Sequence, residues 1–166
     1  MFKKLLQRPG KARDLLPLWT TIVAEARRPE WYASDGVADT LEGRFDMVSA
    51  VTALVLLKLE DEDARAENAR LTELFITDME GQLREAGVGD LMVGKRMGKL
   101  VAALGGRVGA YREGLAQDDA VLAKAAERNV SFGDNGNAVA FAARLRGLFT
   151  RIGATPLDAL LAGEIA

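Results

Sequence analysis

Apolar residues recur along most of this chain at spacings of three and four, the signature of helices with a buried face. Leu15, Leu18, Trp19, Ile22, Val23 and Ala26 form the first such run. The spacing predicts a helix from Lys11, with Pro17 in its first turns and Pro29 marking its end. Ahead of it, Met1 to Arg8 reads as a short amphipathic turn or two carrying Phe2, Leu5 and Leu6, broken by Pro9-Gly10. After it, Glu30 to Ala38 reads as a loop, with Trp31 and Tyr32 expected at the surface.

Asp39-Thr40-Leu41-Glu42 reads as a helix cap, with Asp39 or Thr40 at the N-cap and Glu42 reaching back. The helix beyond is apolar on most of its circumference: Leu41, Phe45, Val48, Val51, Val55 and Leu59 on one side, Met47 and Leu54 on another. A helix greasy nearly all round belongs at the centre of a core. It ends in the acidic turn Asp61 to Asp63. Leu71, Leu74, Phe75, Met79 and Leu83 place the next helix over about Ala64 to Ala86, closed by Gly87.

Gly89-Asp90 opens the cleanest amphipathic run, in which Val93, Met97, Leu100, Val101, Leu104, Val108, Tyr111 and Leu115 share one sector about 100° wide. Asp118-Asp119 starts a short helix to about Val130, and the turn-rich Ser131 to Gly136 follows. Asn137 caps a helix carrying Phe141, Leu145, Leu148 and Ile152 and stopped by Gly153. Thr155, as N-cap, and Pro156, at the first helical position, open a last short one. No segment alternates with period two for long enough to be a strand. The expectation is an all-α protein: a basic amphipathic arm over residues 1–10, then one domain over 11–166, a bundle of about six to eight helices.

Composition sharpens that picture by exclusion. Of the 166 residues, 49% are apolar and 28% charged, and none is Cys or His. Disulfides, thiolate or imidazole metal ligands, Cys–His or Ser–His nucleophiles and a histidine pH switch are therefore all excluded. Ala (27) and Leu (23) together make about 30% of the chain against 6% aromatics, which favours helix over sheet. Residues 1–13 carry +5 and no acid, leaving −7 on the rest. An acidic body with a basic arm lacks the concentrated basic face of a nucleic-acid binder, so no DNA partner is expected. The longest uncharged run, Met47 to Leu57, is 11 residues, too short to span a bilayer, and the amino end does not read as a secretory signal. These features point to the cytoplasm. The arm, with about three charges and three apolar side chains, would give weak, salt-sensitive contact with an anionic membrane or a ribosomal RNA surface; a frayed terminus is the other reading.

Three features invite a functional reading beside a plain one. On the 90–115 helix, Lys95, Arg96 and Lys99 face away from the apolar stripe: either a solvated face or a docking patch for an acidic or phosphate-bearing partner. Between the two sectors lie Gly94, Gly98, Ala102, Gly105 and Gly109. Interior glycine costs roughly 0.5–1 kcal/mol each relative to Ala, so the row needs a reason. Tight packing inside the domain is the expected one, a groove for a client's helix or a break at Gly105-Gly106 the others. Arg44 and Asp46 sit in an otherwise greasy helix, where ionised groups need partners; Asp39 and Asp90 are the candidates for an ion pair.

Two blocks carry a resemblance. Ile22 to Tyr32 (IVAEARRPEWY) followed by Gly36 to Met47 (GVADTLEGRFDM), and Met79 to Met97 (MEGQLREAGVGDLMVGKRM), resemble the ubiquinol–cytochrome c chaperone family, with similarity running from about residue 15 to 130. The chain departs from the family in Ala38, where proline is usual, in Trp31, where phenylalanine is common, and in the second glycine of Gly105-Gly106. The resemblance implies an all-helical assembly factor for the cytochrome bc1 complex, with no catalytic residue and no cofactor, acting on newly made cytochrome b. It also implies a second small assembly factor and the ribosome as further partners, and a bacterial member peripheral to the inner membrane. Trp31, Tyr32, Asp39, Arg44, Asp46, Asp90, Lys95, Arg96 and Lys99 are the expected partner-binding residues. The rival readings are an interaction module for another membrane or ribosomal client, and a small-molecule binder for quinone, haem or lipid, in which haem would need Met or Tyr ligands in the absence of His and Cys.

Overall fold

The structure, a computed structural model, describes residues 12–166, so the expected N-terminal arm lies outside the described residues. Among the described residues eight helices follow one another: α1 (Leu16–Ala26), α2 (Pro29–Ala33), α3 (Leu41–Asp61), α4 (Arg65–Glu85), α5 (Asp90–Leu115), α6 (Asp119–Asn129), α7 (Ala138–Ala154) and α8 (Leu157–Leu161). Among the described residues there is no strand, only an isolated bridge between Val37 and Phe132.

α3 is the pillar its composition predicts. Met47, Ala50, Val51, Ala53, Leu54, Val55 and Leu59 are completely buried, and α1, α4, α5 and α7 all pack on it. Thr40 caps it, its hydroxyl accepting from the Gly43 amide at 3.1 Å. Gly43 also lets the preceding loop lie on the helix, since a Cβ there would collide with the Ala38 carbonyl. Sequence-readable caps recur at α6, where the Asp118 carboxylate accepts from the Val121 amide at 3.1 Å, and at α7, where Asn137 accepts from Ala140 at 3.0 Å.

Two expectations about elements are corrected. Thr155 does not cap α8: its hydroxyl donates back to the Arg151 carbonyl at 2.8 Å and accepts from the Ala166 amide at 2.9 Å, and Pro156 takes the capping position. The segment read as a loop after Pro29 is the short helix α2, and Trp31 is not at the surface but 1% exposed. Pro29 starts the turn with its fixed φ. The Trp31 indole then donates to the Glu25 carbonyl at 2.8 Å and packs against Phe141 of α7, ring centres 5.3 Å apart.

The loops before α3 and before α7 are stapled together. Ala38 donates to the Ser131 carbonyl at 2.8 Å, Gly133 to Gly36 at 2.9 Å and Asn137 to Asp35 at 2.9 Å. Gly36, at φ +77°, fits because a Cβ would strike the backbone of Asn135. Beneath the staple the buried Asp35 carboxylate receives the Arg144 guanidinium at 2.7 and 3.3 Å, and that guanidinium lies 5.9 Å over the Trp31 ring.

Candidate partner-binding surface

The nine residues expected to bind a partner separate into three groups. Trp31 and Asp46 face inward. Asp46 accepts from the Ser131 amide at 2.8 Å and pairs with Arg107, itself 5% exposed, which also donates to the Asn129 carbonyl at 2.6 and 3.1 Å. This network ties α3 to α5 and to the end of α6. Asp46 is therefore paired, as an ionised group in a greasy helix must be, and its partner is Arg107, which the sequence reading did not name.

Tyr32, Asp39 and Arg44 form the second group. The Arg44 guanidinium holds Asp39 at 3.0 Å, as the sequence predicts, and both side chains remain mostly exposed. With Arg27, Pro29 and Ala33 they line an open depression of about 600 Å³. Half-buried Tyr32 donates its hydroxyl to the Ala26 carbonyl at 3.0 Å. Burial first, and then the Asp39 charge, raise its phenol above the ordinary value.

The third group lies on α5. Asp90, in the first turn, pairs with Arg84, which also holds Glu80 at 3.0 Å. Those acids, Glu80 first, raise the Arg84 pKa. Lys95, Arg96 and Lys99 are exposed and have no acidic partner among the described residues. Leu91 is 94% exposed and Met92 48%, and Val101, expected on the apolar stripe, lies instead at its edge and is 38% exposed. The inner face of the helix, through Val93, Met97, Leu104 and Tyr111, is buried as the periodicity requires. Among the described residues no hydrogen bond or ion pair joins the α5 group to the Tyr32–Asp39–Arg44 group.

The glycine row corrects an expectation. α5 runs unbroken through Gly105-Gly106, and a Cβ placed at Gly94, Gly98, Gly105, Gly106 or Gly109 would meet no atom within 4 Å. The row is not packed inside the fold. It is a smooth outer face, bordered by the cations and by the exposed apolar side chains at the helix start. Two buried ion pairs escaped the sequence reading, Arg107–Asp46 and Arg144–Asp35. The first had a signal, since Arg107 falls three residues after Leu104 and four before Tyr111, on the buried stripe.

Among the described residues no group of His, Cys, Asp or Glu side chains could hold a metal ion, and no helix is long and apolar enough to cross a membrane. No curated protein matches the chain. A family model described as Ubiquinol-cytochrome C chaperone matches residues 34–166, a span that starts just after α2 and takes in α3 to α8. Among solved structures, the chain is similar to the crystal structure of the Cbp3 homolog from Brucella abortus. The two share 34% identity and a TM-score of 0.75, over 92% of this chain and 87% of that one. With the family model spanning most of its length and a helical relative of this similarity, the chain belongs to the ubiquinol-cytochrome c chaperone family.

Proposed function

We propose that the chain is a non-catalytic assembly chaperone that binds newly made cytochrome b and so supports assembly of the cytochrome bc1 complex. The observation that carries this reading is the family match over residues 34–166. A multi-helix membrane subunit exposes apolar helices and charged loops before its partners arrive. A chaperone for it needs a surface offering both kinds of contact without closing on them.

The outer face of α5 has that character. Lys95, Arg96 and Lys99 supply positive charge that steers an acidic loop and fixes its register. Leu91, Met92 and Val101 supply apolar contact, and the glycine row lets a client helix approach closely. Tyr32, Asp39, Arg44 and Asp90 contribute a second, polar contact region. Trp31 and Asp46 serve this surface only by holding α2 and α3 in place.

Deleting the gene in its native host and measuring assembled bc1 complex by native gel and haem b absorbance tests the function. Assembled complex falls sharply on this reading; wild-type levels overturn it. Co-purification with cytochrome b tests the site. Lys95→Glu, Arg96→Glu and Lys99→Glu together remove most of the captured cytochrome b, and capture unchanged by them removes the α5 assignment.

A further inference from the structure

A second concavity lies away from α5. α1 and α4 run side by side over α3 in the same direction, and the space between them is a groove open to solvent. Its main part, about 630 Å³, is walled by Leu16, Trp19 and Val23 of α1 and by Leu74, Asp78 and Glu85 of α4. A smaller part of about 190 Å³ continues it past Asp14, Arg70 and Glu73, sharing Leu74 and Thr77 with the first. From Asp14 to Arg27 the groove is about 20 Å long at 1.5 Å per helical residue.

Its lining is apolar at the bottom and acidic at the rim. Trp19 presents the 7% of its surface that remains open, Val23 and Leu74 are half-buried, and Leu16 stands 55% exposed at the lip. The α4 wall is low at Gly81, where a Cβ would meet nothing within 4 Å. Asp14, Glu73, Asp78 and Glu85 stand around it against Arg27 and Arg70. Glu73, Asp78 and Glu85 have no cationic partner among the described residues; Asp78 accepts only from the Gln82 side chain, at 2.8 Å.

We propose that this groove seats an amphipathic helix of another protein, about three turns long, whose apolar face meets Trp19 and Leu74 and whose Lys or Arg side chains meet Glu73, Asp78 and Glu85. The length suits one helix lying between two others. The rim charge selects a cationic one and repels an anionic lipid surface. This chain offers two cationic apolar segments of its own, α5 and the basic segment over residues 1–10, and capture of either, from the same copy or another, counts against the proposal.

The test uses the full chain with a photo-crosslinking amino acid at Thr20 or Thr77, both exposed on the groove walls, expressed in the native host. Mass spectrometry then reads the crosslinked peptide. A segment of another protein with apolar residues at three- and four-residue spacing and several Lys or Arg supports the proposal. An acidic segment, a lipid adduct, or a crosslink to α5 or to residues 1–10 of this chain, in the same or a second copy, overturns it. In parallel, the purified chain is titrated with a synthetic Leu/Lys amphipathic helix and with its Glu-for-Lys counterpart. The cationic peptide shifts backbone amide resonances of Val23, Leu74 and Gly81, and added salt weakens it. Gly81→Arg, whose Cβ meets nothing within 4 Å and whose side chain raises the low wall, weakens it at least about tenfold while leaving the thermal midpoint unchanged or higher. Equal binding of the two peptides, or binding indifferent to Gly81→Arg, overturns the proposal.

Discussion

Removing the Asp46 carboxylate tests the architecture beneath the candidate surface. In Asp46→Ala, Arg107 stays buried at 5% exposure without its counter-ion, and the Ser131 amide loses its acceptor. Breaking a buried ion pair by deleting one partner costs about 3–5 kcal/mol. Two features place this case at the lower end, about 3 kcal/mol: Arg107 keeps the Asn129 carbonyl, and the Asp46 side chain was 17% exposed to begin with. At about 2–4 °C per kcal/mol for a chain of this size, the thermal midpoint falls by about 6–12 °C. Arg107→Met costs less, about 2 kcal/mol, because the carboxylate left behind regains water. The double variant then costs less than the sum of the two, with a coupling of about 1–3 kcal/mol. Urea unfolding followed by far-UV circular dichroism at neutral pH measures all four corners of the cycle. A cost for Asp46→Ala below about 1 kcal/mol, or strict additivity, would refute the claim that this pair pins α5 to α3.

Replacing Gly98 by Ala raises stability by about 0.5–1 kcal/mol in the same assay, because nothing lies within 4 Å of the added Cβ; a loss would mean that the face is packed. Lys95→Glu with Lys99→Glu shifts the thermal midpoint by no more than about 2 °C, since neither residue has an acidic partner among the described residues, while cytochrome b capture falls. Tyr111 is completely buried and its hydroxyl has no hydrogen-bond partner, so Tyr111→Phe is neutral or stabilising in thermal unfolding. Burial pushes the Tyr111 phenol well above its ordinary value of 10.0, the Arg107 charge opposing this only in part. Above that ordinary value the unfolded chain releases a proton that the folded chain keeps, so stability falls as pH rises past about 10. The phenylalanine variant flattens that alkaline slope; an unchanged slope would remove Tyr111 as its source.

The contrast between α3 and α2 shows what a linear pattern conveys. α3 is apolar all round, so its burial was settled by its own residues, and Thr40, Asp118 and Asn137 announced the helix starts because capping is local chemistry. Trp31 is decided elsewhere: by the Glu25 carbonyl six residues back, and by Phe141 and Arg144 more than a hundred residues ahead. A window around Pro29 holds no trace of those partners. The glycine row failed for a different reason. A helical wheel shows that small residues share a face, but whether another element covers that face depends on where α6 and α7 come to rest. The outward Lys95–Arg96–Lys99 cluster was legible because it opposes the apolar stripe. The α1–α4 groove was not, because it belongs to two elements about fifty residues apart.

The staple between the loops around residues 34–38 and 131–137 has a consequence for synthesis on the ribosome. Asp35 is buried by Arg144, and the ring of Trp31 by Phe141. While the chain emerges, its first third waits with an indole and a carboxylate unsheltered until α7 clears the exit tunnel. Closing the staple therefore waits for α7, and the long sequence separation makes that step slower than the winding of any individual coil.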